Sequence, residues 1–285
     1  MSRQESSAPW VCGVIHLPPL PGSFRASRVL RATRLDYHRQ LALAVDVAVA
    51  EAKVLESAGF SAVIIENFGD TPFRKDQVSP ETVASMAVIA RAVREAVSIP
   101  MGVNVLRNDA LSALAIAATA GCEFIRVNVL SGVAATDQGW IEGQAATVLA
   151  ARERLDPSVR ILADVWVKHA KTFSSDSLTH AIEETAFRAG ADGVILTGPT
   201  TGRMVAHEGL EEALSICRTS DIPLYLGSGI SSSALTSLPW QDLSGVIVGS
   251  ALRQGGKAGA PLDRTRVRDY LKPLRPPVSK RGRRI

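Results

Sequence analysis

Eight short apolar runs, many of them β-branched, recur along this chain at residues 11–15, 62–65, 101–105, 124–129, 161–165, 193–196, 224–226 and 245–248. Each is largely apolar on both faces, the pattern of a parallel strand buried on both sides. Between the runs the apolar spacing becomes helical. Leu41, Val45, Ala48, Ala52 and Leu55 share one helical face, as do Val83, Met86, Ala87, Ala90, Val93 and Val97. Further helices are expected over 108–120, 140–155, 177–189, 208–218, 231–238 and 263–271. Eight strands with a helix after each predict an α/β chain closed into a (β/α)8 TIM barrel. A doubly wound open sheet would show fewer strands and a glycine fingerprint after the first. Here the first strand runs instead into Leu17-Pro18-Pro19-Leu20-Pro21-Gly22. Ala-Gly precedes three of the strands, ending at Gly59, Gly121 and Gly190, each suited to a left-handed helix C-terminus. Ile99-Pro100 and Ile222-Pro223 precede two others, a faint half-barrel repeat.

The length of 285 residues suits one such barrel, which typically takes about 250 residues. With 46% hydrophobic and 21% charged residues, wholesale disorder and collagen-like structure are excluded. Cys12, Cys122 and Cys217 are widely spaced and form no CxxC pair, which argues against a disulfide framework or structural zinc and fits a reducing compartment. No uncharged apolar stretch approaches the roughly 18 residues of a membrane span. The first ten residues lack the apolar core of a signal peptide. The expected address is cytoplasmic.

The net charge of +4 is uneven. From Arg264 onward there are nine Lys and Arg against one Asp, a net of +8, so the preceding 263 residues carry −4. The expected organisation is an N-terminal extension over 1–10, one barrel domain over 11–272, and a basic, disordered tail over 273–285. No basic patch interleaved with aromatics marks the body, so nucleic acid is not an expected partner. A homo-oligomer is left open.

In a TIM barrel the chemistry sits at the C-terminal ends of the strands. The polar residues falling there are His16, Glu66, Asn67, Asn104, Arg126, Asn128, Asp164, Lys168, His169, Thr197, Ser228 and Ser250. The last two strands end in Gly227-Ser228-Gly229 and Gly249-Ser250. Glycines there let backbone N–H groups approach an anion, and these two loops are the usual phosphate grip of the fold. They also serve as tight turns.

Asp164 and Lys168 share a strand face, and a carboxylate near a cation suits proton transfer as well as a plain ion pair. Arg126, directed into a barrel mouth, needs a partner or an anion. Asp164, Glu66 or a substrate anion could serve. Glu66 and Asp70, with Asp164 or His16, offer oxygen and nitrogen donors to a divalent metal, though their spacing is not diagnostic of one. The glycine-rich stretch 131–143, which contains Asp137, has the composition of a lid or of an ordinary surface loop.

Several segments together resemble the BtpA/SgcQ family. They begin with Gly13-Val14-Ile15-His16-Leu17-Pro18-Pro19-Leu20-Pro21-Gly22, Glu66-Asn67-Phe68-Gly69-Asp70 and Gly102-Val103-Asn104-Val105-Leu106-Arg107-Asn108. Phe124-Ile125-Arg126-Val127-Asn128, Asp137-Gln138-Gly139, Ala163-Asp164-Val165 and Val167-Lys168-His169-Ala170 continue the likeness. It ends with Gly193-Val194-Ile195-Leu196-Thr197-Gly198, Gly227-Ser228-Gly229-Ile230 and Val248-Gly249-Ser250. The resemblance implies a TIM barrel of the phosphate-binding type. It also implies one of two roles: photosystem I biogenesis, after the family's namesake, or sugar and nucleoside catabolism.

The leading expectation is an enzyme acting on a small phosphorylated sugar or nucleoside-derived metabolite, by isomerisation, lyase chemistry or glycosidic-bond cleavage. Asp164, Lys168, Glu66 and His16 are the candidate catalytic residues. Asn104, Arg126, Asn128, Asp137, His169 and Thr197 are the substrate-binding candidates. Gly227, Ser228, Gly229, Gly249 and Ser250 are the phosphate-binding candidates. No cofactor is assigned, and a divalent metal is left open. Asp164→Asn is expected to abolish turnover and leave folding intact. The rival expectations are a non-catalytic assembly factor and a flavin-binding barrel using the same two loops.

Overall fold

The computed structural model describes residues 9–33, 36–165, 171–172, 177–198, 207–227 and 229–274. Eight parallel strands form its centre: β1 (Val11–His16), β2 (Ala62–Glu66), β3 (Met101–Asn104), β4 (Phe124–Val127), β5 (Arg160–Val165), β6 (Gly193–Leu196), β7 (Leu224–Leu226) and β8 (Gly245–Val248). Each pairs with its neighbours in sequence, and β8 returns to pair with β1, closing the barrel.

The strands close because each is apolar on both faces. Cys12, Val14, Ala62, Ile64, Phe124, Leu162, Ile195, Tyr225 and Ile247 point inward and form one buried cluster. The alternate residues, such as Val11, Ile15, Val63, Ile65 and Val103, point outward into the larger core beneath the helices. Trp10 plugs the floor edge-on to Phe124 and Tyr225, with ring centroids 6.1 and 5.4 Å away. Gly102 leaves room for the Phe124 ring, which a Cβ at 102 would meet at 2.2 Å.

The helices are α1 (Phe24–Thr33), α2 (Tyr37–Ala58), α3 (Pro80–Ala96), α4 (Ala110–Ala120), α5 (Ala145–Leu155), α6 (Leu178–Glu183), α7 (His207–Thr219) and α8 (Arg264–Tyr270). Local chemistry sets their ends. Asp36, Ser79, Asp109, Ser177 and Asp263 cap N-termini through their side chains, and Pro80 opens α3. Gly59, Gly121 and Gly190 adopt φ of 94°, 76° and 71°, the left-handed geometry expected of the Ala-Gly pairs.

Three expectations change. Helix α5 begins at Ala145 rather than 140, because Val133–Thr136 and Gly139–Glu142 pair as an antiparallel hairpin. Lys171–Thr172 adds a third strand to it. The segment expected to be a helix after β7 is a 3-10 turn, Ser233–Ser237. Helix α1 is absent from the sequence expectations. Ala26, Val29 and Leu30 stand at helical spacing there, which was the available signal.

Candidate active site

Inward parity carries past the apolar layer and ends in polar groups. Continuing the alternation through Val14, Ile64, Phe124 and Leu162 brings His16, Glu66, Arg126, Asn128 and Asp164 to the barrel mouth. Strand register sets their heights. His16 lies beside Glu66, and Glu66 beside Asn104. Arg126 lies beside Leu162, which places Asp164 one inward step higher.

Two hydrogen-bonded groups result. In the first, Asn104 Nδ2 donates to Glu66 Oε1 at 2.7 Å. His16 Nε2 faces Glu66 Oε2 at 3.5 Å. His16 Nδ1 accepts the Gly259 backbone N–H at 3.2 Å, so the neutral ring carries its proton on Nε2 and presents it to Glu66. The ring leans on Phe68, 4.5 Å between centroids.

In the second group Arg126 clamps Asp164. Nη2 donates to both carboxylate oxygens at 3.0 Å, and Nε donates to Oδ1 at 3.2 Å. Asn128 Nδ2 donates to Oδ2 at 2.5 Å. Both charges are buried. Burial alone would lower the guanidinium pKa, but the charges of Asp164 and Glu66 and the hydrogen bonds to Asp164 outweigh it, and Arg126 stands raised.

A cavity of about 620 Å³ opens above these groups. His16, Glu66, Arg126, Asn128, Asp137 and Asp164 line it, with Gly227, Gly229, Gly249 and Ser250 on the side of β7 and β8. The glycines sit close against the polar wall. A Cβ at Gly249 would lie 3.3 Å from His16 Nε2, and one at Gly227 would lie 3.6 Å from Arg126 Nη2. Gly227 also has a packing reason, since its Cβ would press on Ile195 and Thr197 of β6 and its extension.

Of the remaining candidates, Asn104 and Thr197 are buried beneath the cavity and not part of its lining. Asp137, at the turn of the hairpin, reaches it. Lys168, His169 and Ser228 lie outside the described residues.

Asp70 faces a different cavity. It accepts the Leu20 N–H at 2.7 Å and Asn67 Nδ2 at 3.1 Å, tying the loop after β1 to the loop after β2. Among the described residues no three His, Cys, Asp or Glu side chains converge as metal ligands.

Burial pushes the Asp70 carboxyl up to about 6, against the hydrogen bonds from Leu20, Asn67 and Ser23. The unfolded value is about 3.9. The folded state therefore holds the proton more tightly, and stability falls as pH rises from about 4 through about 6. The expected size is on the order of 2–3 kcal/mol. Urea titrations between pH 4 and 7 should show this fall in the parent chain and a flatter profile in Asp70→Asn. Parallel profiles would contradict it.

Arg107 is a cavity residue missing from the sequence candidates. It follows β3 within residues 102–108, and an arginine just beyond an apolar strand end was the available signal. Burial lowers its pKa, opposed by the charges of Asp164, Asp137 and Glu66. A second omission is the Arg253–Glu51 pair, with Nη1 to Oε1 at 2.7 Å. Arg253 Nη2 also donates to the Val14 carbonyl at 2.7 Å, fastening the loop that delivers Gly259 to His16.

A closed parallel barrel with a polar, partly charged cavity at the C-terminal ends of its strands defines the class: a TIM barrel with its site at the mouth. Within that class the chain belongs to the BtpA family, whose model matches residues 8–275. It is 42% identical to the photosystem I biogenesis protein BtpA of Synechocystis over 264 residues, covering 93% of this chain and 87% of that protein. It is 43% identical to an uncharacterized protein of Methanocaldococcus jannaschii, covering 91% and 92% of the two chains.

Solved structures share the fold at low identity. Thiamine phosphate pyrophosphorylase from Pyrococcus furiosus superposes with a TM-score of 0.54 at 14% identity, covering 93% of this chain and 95% of that one. Phosphoribosyl anthranilate isomerase from Thermus thermophilus gives 0.53 at 14%, covering 93% and 100%. Among the described residues no helix is long and apolar enough to cross a membrane.

Proposed function

We propose that the protein is an enzyme acting on a phosphorylated sugar or nucleoside-derived metabolite held in the cavity at the barrel mouth. The observation that carries this reading is the direct apposition of the β7 and β8 glycines to His16 and Arg126. An anion seated against Gly227, Ser228, Gly229, Gly249 and Ser250 meets backbone there, in a cavity whose lining includes the cations Arg107 and Arg126. Two solved proteins of like fold carry names that refer to phosphorylated compounds, which supports the substrate class.

The two carboxylates divide the work. Asp164 has both oxygens engaged by Arg126 and Asn128, which makes it the anchor that orients the guanidinium. Glu66 has one oxygen held by Asn104 and the other only loosely approached by His16, and it faces the cavity. Glu66 is therefore the proton carrier, with His16 steadying its charge. The sequence expectation gave that role to Asp164. Lys168 and His169 keep their roles as a proposed cationic and polar complement. Proton abstraction beside a carbonyl, aldol-type cleavage and glycosidic-bond cleavage each need such a positioned carboxylate facing a cation.

The test is turnover of phosphorylated sugars and nucleotides by the parent chain and by Glu66→Gln. The variant keeps the Asn104 contact through its amide oxygen. It should bind ligand as the parent does and turn it over about 100-fold more slowly. Unchanged turnover in Glu66→Gln would sink the assignment.

A further inference from the structure

A second cavity of about 290 Å³ opens at the same end of the barrel, between the start of α1 and the loop leading into α3. It shares two side chains, Phe73 and Leu106, with the first cavity. Its lining is of another kind. Ser23, Asn67, Asp70 and Thr82 are all polar, more than nine-tenths buried, and face it.

A carboxylate offers about four acceptor positions. At Asp70 the Leu20 N–H and Asn67 Nδ2 take two, and Ser23 approaches a third. What remains accepts a further N–H or O–H donor, in a lining that also carries the Arg74 cation. The rim of this cavity includes Phe24, a ring left 60% exposed. Ala26 of α1 is buried while Phe24 is not, and the Arg28 guanidinium lies 6.0 Å from the Phe24 ring centre. An aromatic ring kept in solvent beside a cavity with a few buried polar groups is the composition of a site for a flat, partly polar ring.

The two cavities are thus complementary in chemistry and share a wall. The first sets arginines and glycine backbone toward an anion. The second has the Asp70 carboxylate and the Phe24 rim, with the Arg74 cation also in its lining and, among the described residues, no glycine loops of β7 and β8.

We propose that the second cavity holds the nitrogenous ring of the substrate while the first holds its sugar phosphate, the sugar lying across Phe73 and Leu106. The substrate class is then a nucleoside 5′-phosphate or another N-glycoside of ribose phosphate. This rests on the reading of the first cavity as a phosphosugar site.

The experiment is calorimetric titration of the full chain with ribose 5-phosphate and with the four common nucleoside 5′-monophosphates. Two variants address the second cavity alone. Ser27→Trp, at an exposed position on its wall, fills it, and Phe24→Ala removes the aromatic rim. Both are surface changes whose ligand-free melting should match the parent closely. At least one monophosphate should bind about tenfold tighter than ribose 5-phosphate. Both variants should lose that advantage while keeping ribose 5-phosphate affinity within about twofold.

Equal affinity for all ligands in the parent, or an advantage that survives Ser27→Trp and Phe24→Ala, would overturn the proposal and leave the phosphosugar reading standing. Failure of every ligand, ribose 5-phosphate included, would defeat the phosphosugar reading and this inference with it.

Discussion

Asp164→Asn is expected to lower stability by about 3–5 kcal/mol, the usual cost of breaking a buried ion pair from one side. The Arg126 guanidinium gives three hydrogen bonds to this carboxylate and Asn128 gives a fourth. An amide at 164 would keep one acceptor oxygen and turn an N–H group toward donors. Arg126 would then be left buried without its hydrogen-bonded counter-charge, with only the Glu66 charge still acting on it, a costly state inside a barrel. At roughly 2–4 °C per kcal/mol for a domain of this size, the melting point should fall by roughly 6–20 °C. This revises the expectation, drawn from sequence, that Asp164→Asn spares folding. A variant that melts within about 2 °C of the parent would show that the clamp is dispensable.

Arg253→Met should cost a similar amount, about 3–5 kcal/mol, although it lies behind the cavity rather than in it. Methionine fills much of the same volume, so the loss is one of charge and hydrogen bonding. Glu51 is buried, and desolvation already raises its carboxyl pKa against the pull of Arg253. Without the cation it must take up a proton or remain a buried charge. The Val14 and Ala260 carbonyls lose their donor as well. The double variant Glu51→Leu with Arg253→Met should recover most of the loss, because an apolar pair of similar volume carries no desolvation cost. A double variant as unstable as Arg253→Met alone would contradict this account. Gly259 follows in the same loop, so Arg253→Met should also loosen its hold on His16.

The barrel was legible because its strands are buried on both sides. The apolar runs at 193–196, 224–226 and 245–248 coincide with β6, β7 and β8, and the other five differ at one end by no more than two residues. The mouth was legible for the same reason. Inward parity, counted from apolar residues such as Ile64 and Leu162, leads directly to Glu66 and Asp164.

What escaped was set by tertiary contact rather than by local pattern. The hairpin containing Trp140 reads as a helix because its apolar spacing is ambiguous, and its pairing with Lys171–Thr172 lies far along the chain. The Glu51–Arg253 pair joins residues 202 positions apart, and neither position is unusual for its type in sequence. Asp70 reads as a ligand candidate beside Glu66, but the 3-10 turn Phe68–Asp70 swings it toward Leu20. The proposed division of labour between Glu66 and Asp164 rests on which lone pairs are already taken, and composition does not record that.

A phosphorylated ligand seated against the β7 and β8 glycines, as proposed, is tested directly by one comparison. Melting of the full chain is followed with and without ribose phosphates and nucleoside monophosphates, beside Gly249→Val. Position 249 suits the test because Gly229, at φ 68°, would strain under any side chain, whereas Gly249 has negative φ and faces His16. A ligand at about 100 times its Kd should add about 2.7 kcal/mol, raising the melting point by roughly 5–11 °C. Gly249→Val should abolish that rise; because its side chain crowds His16, the ligand-induced shift is read against the variant's own ligand-free melting point. A rise that persists undiminished in Gly249→Val, or a panel of phosphorylated ligands that leaves the parent unmoved, would contradict the account.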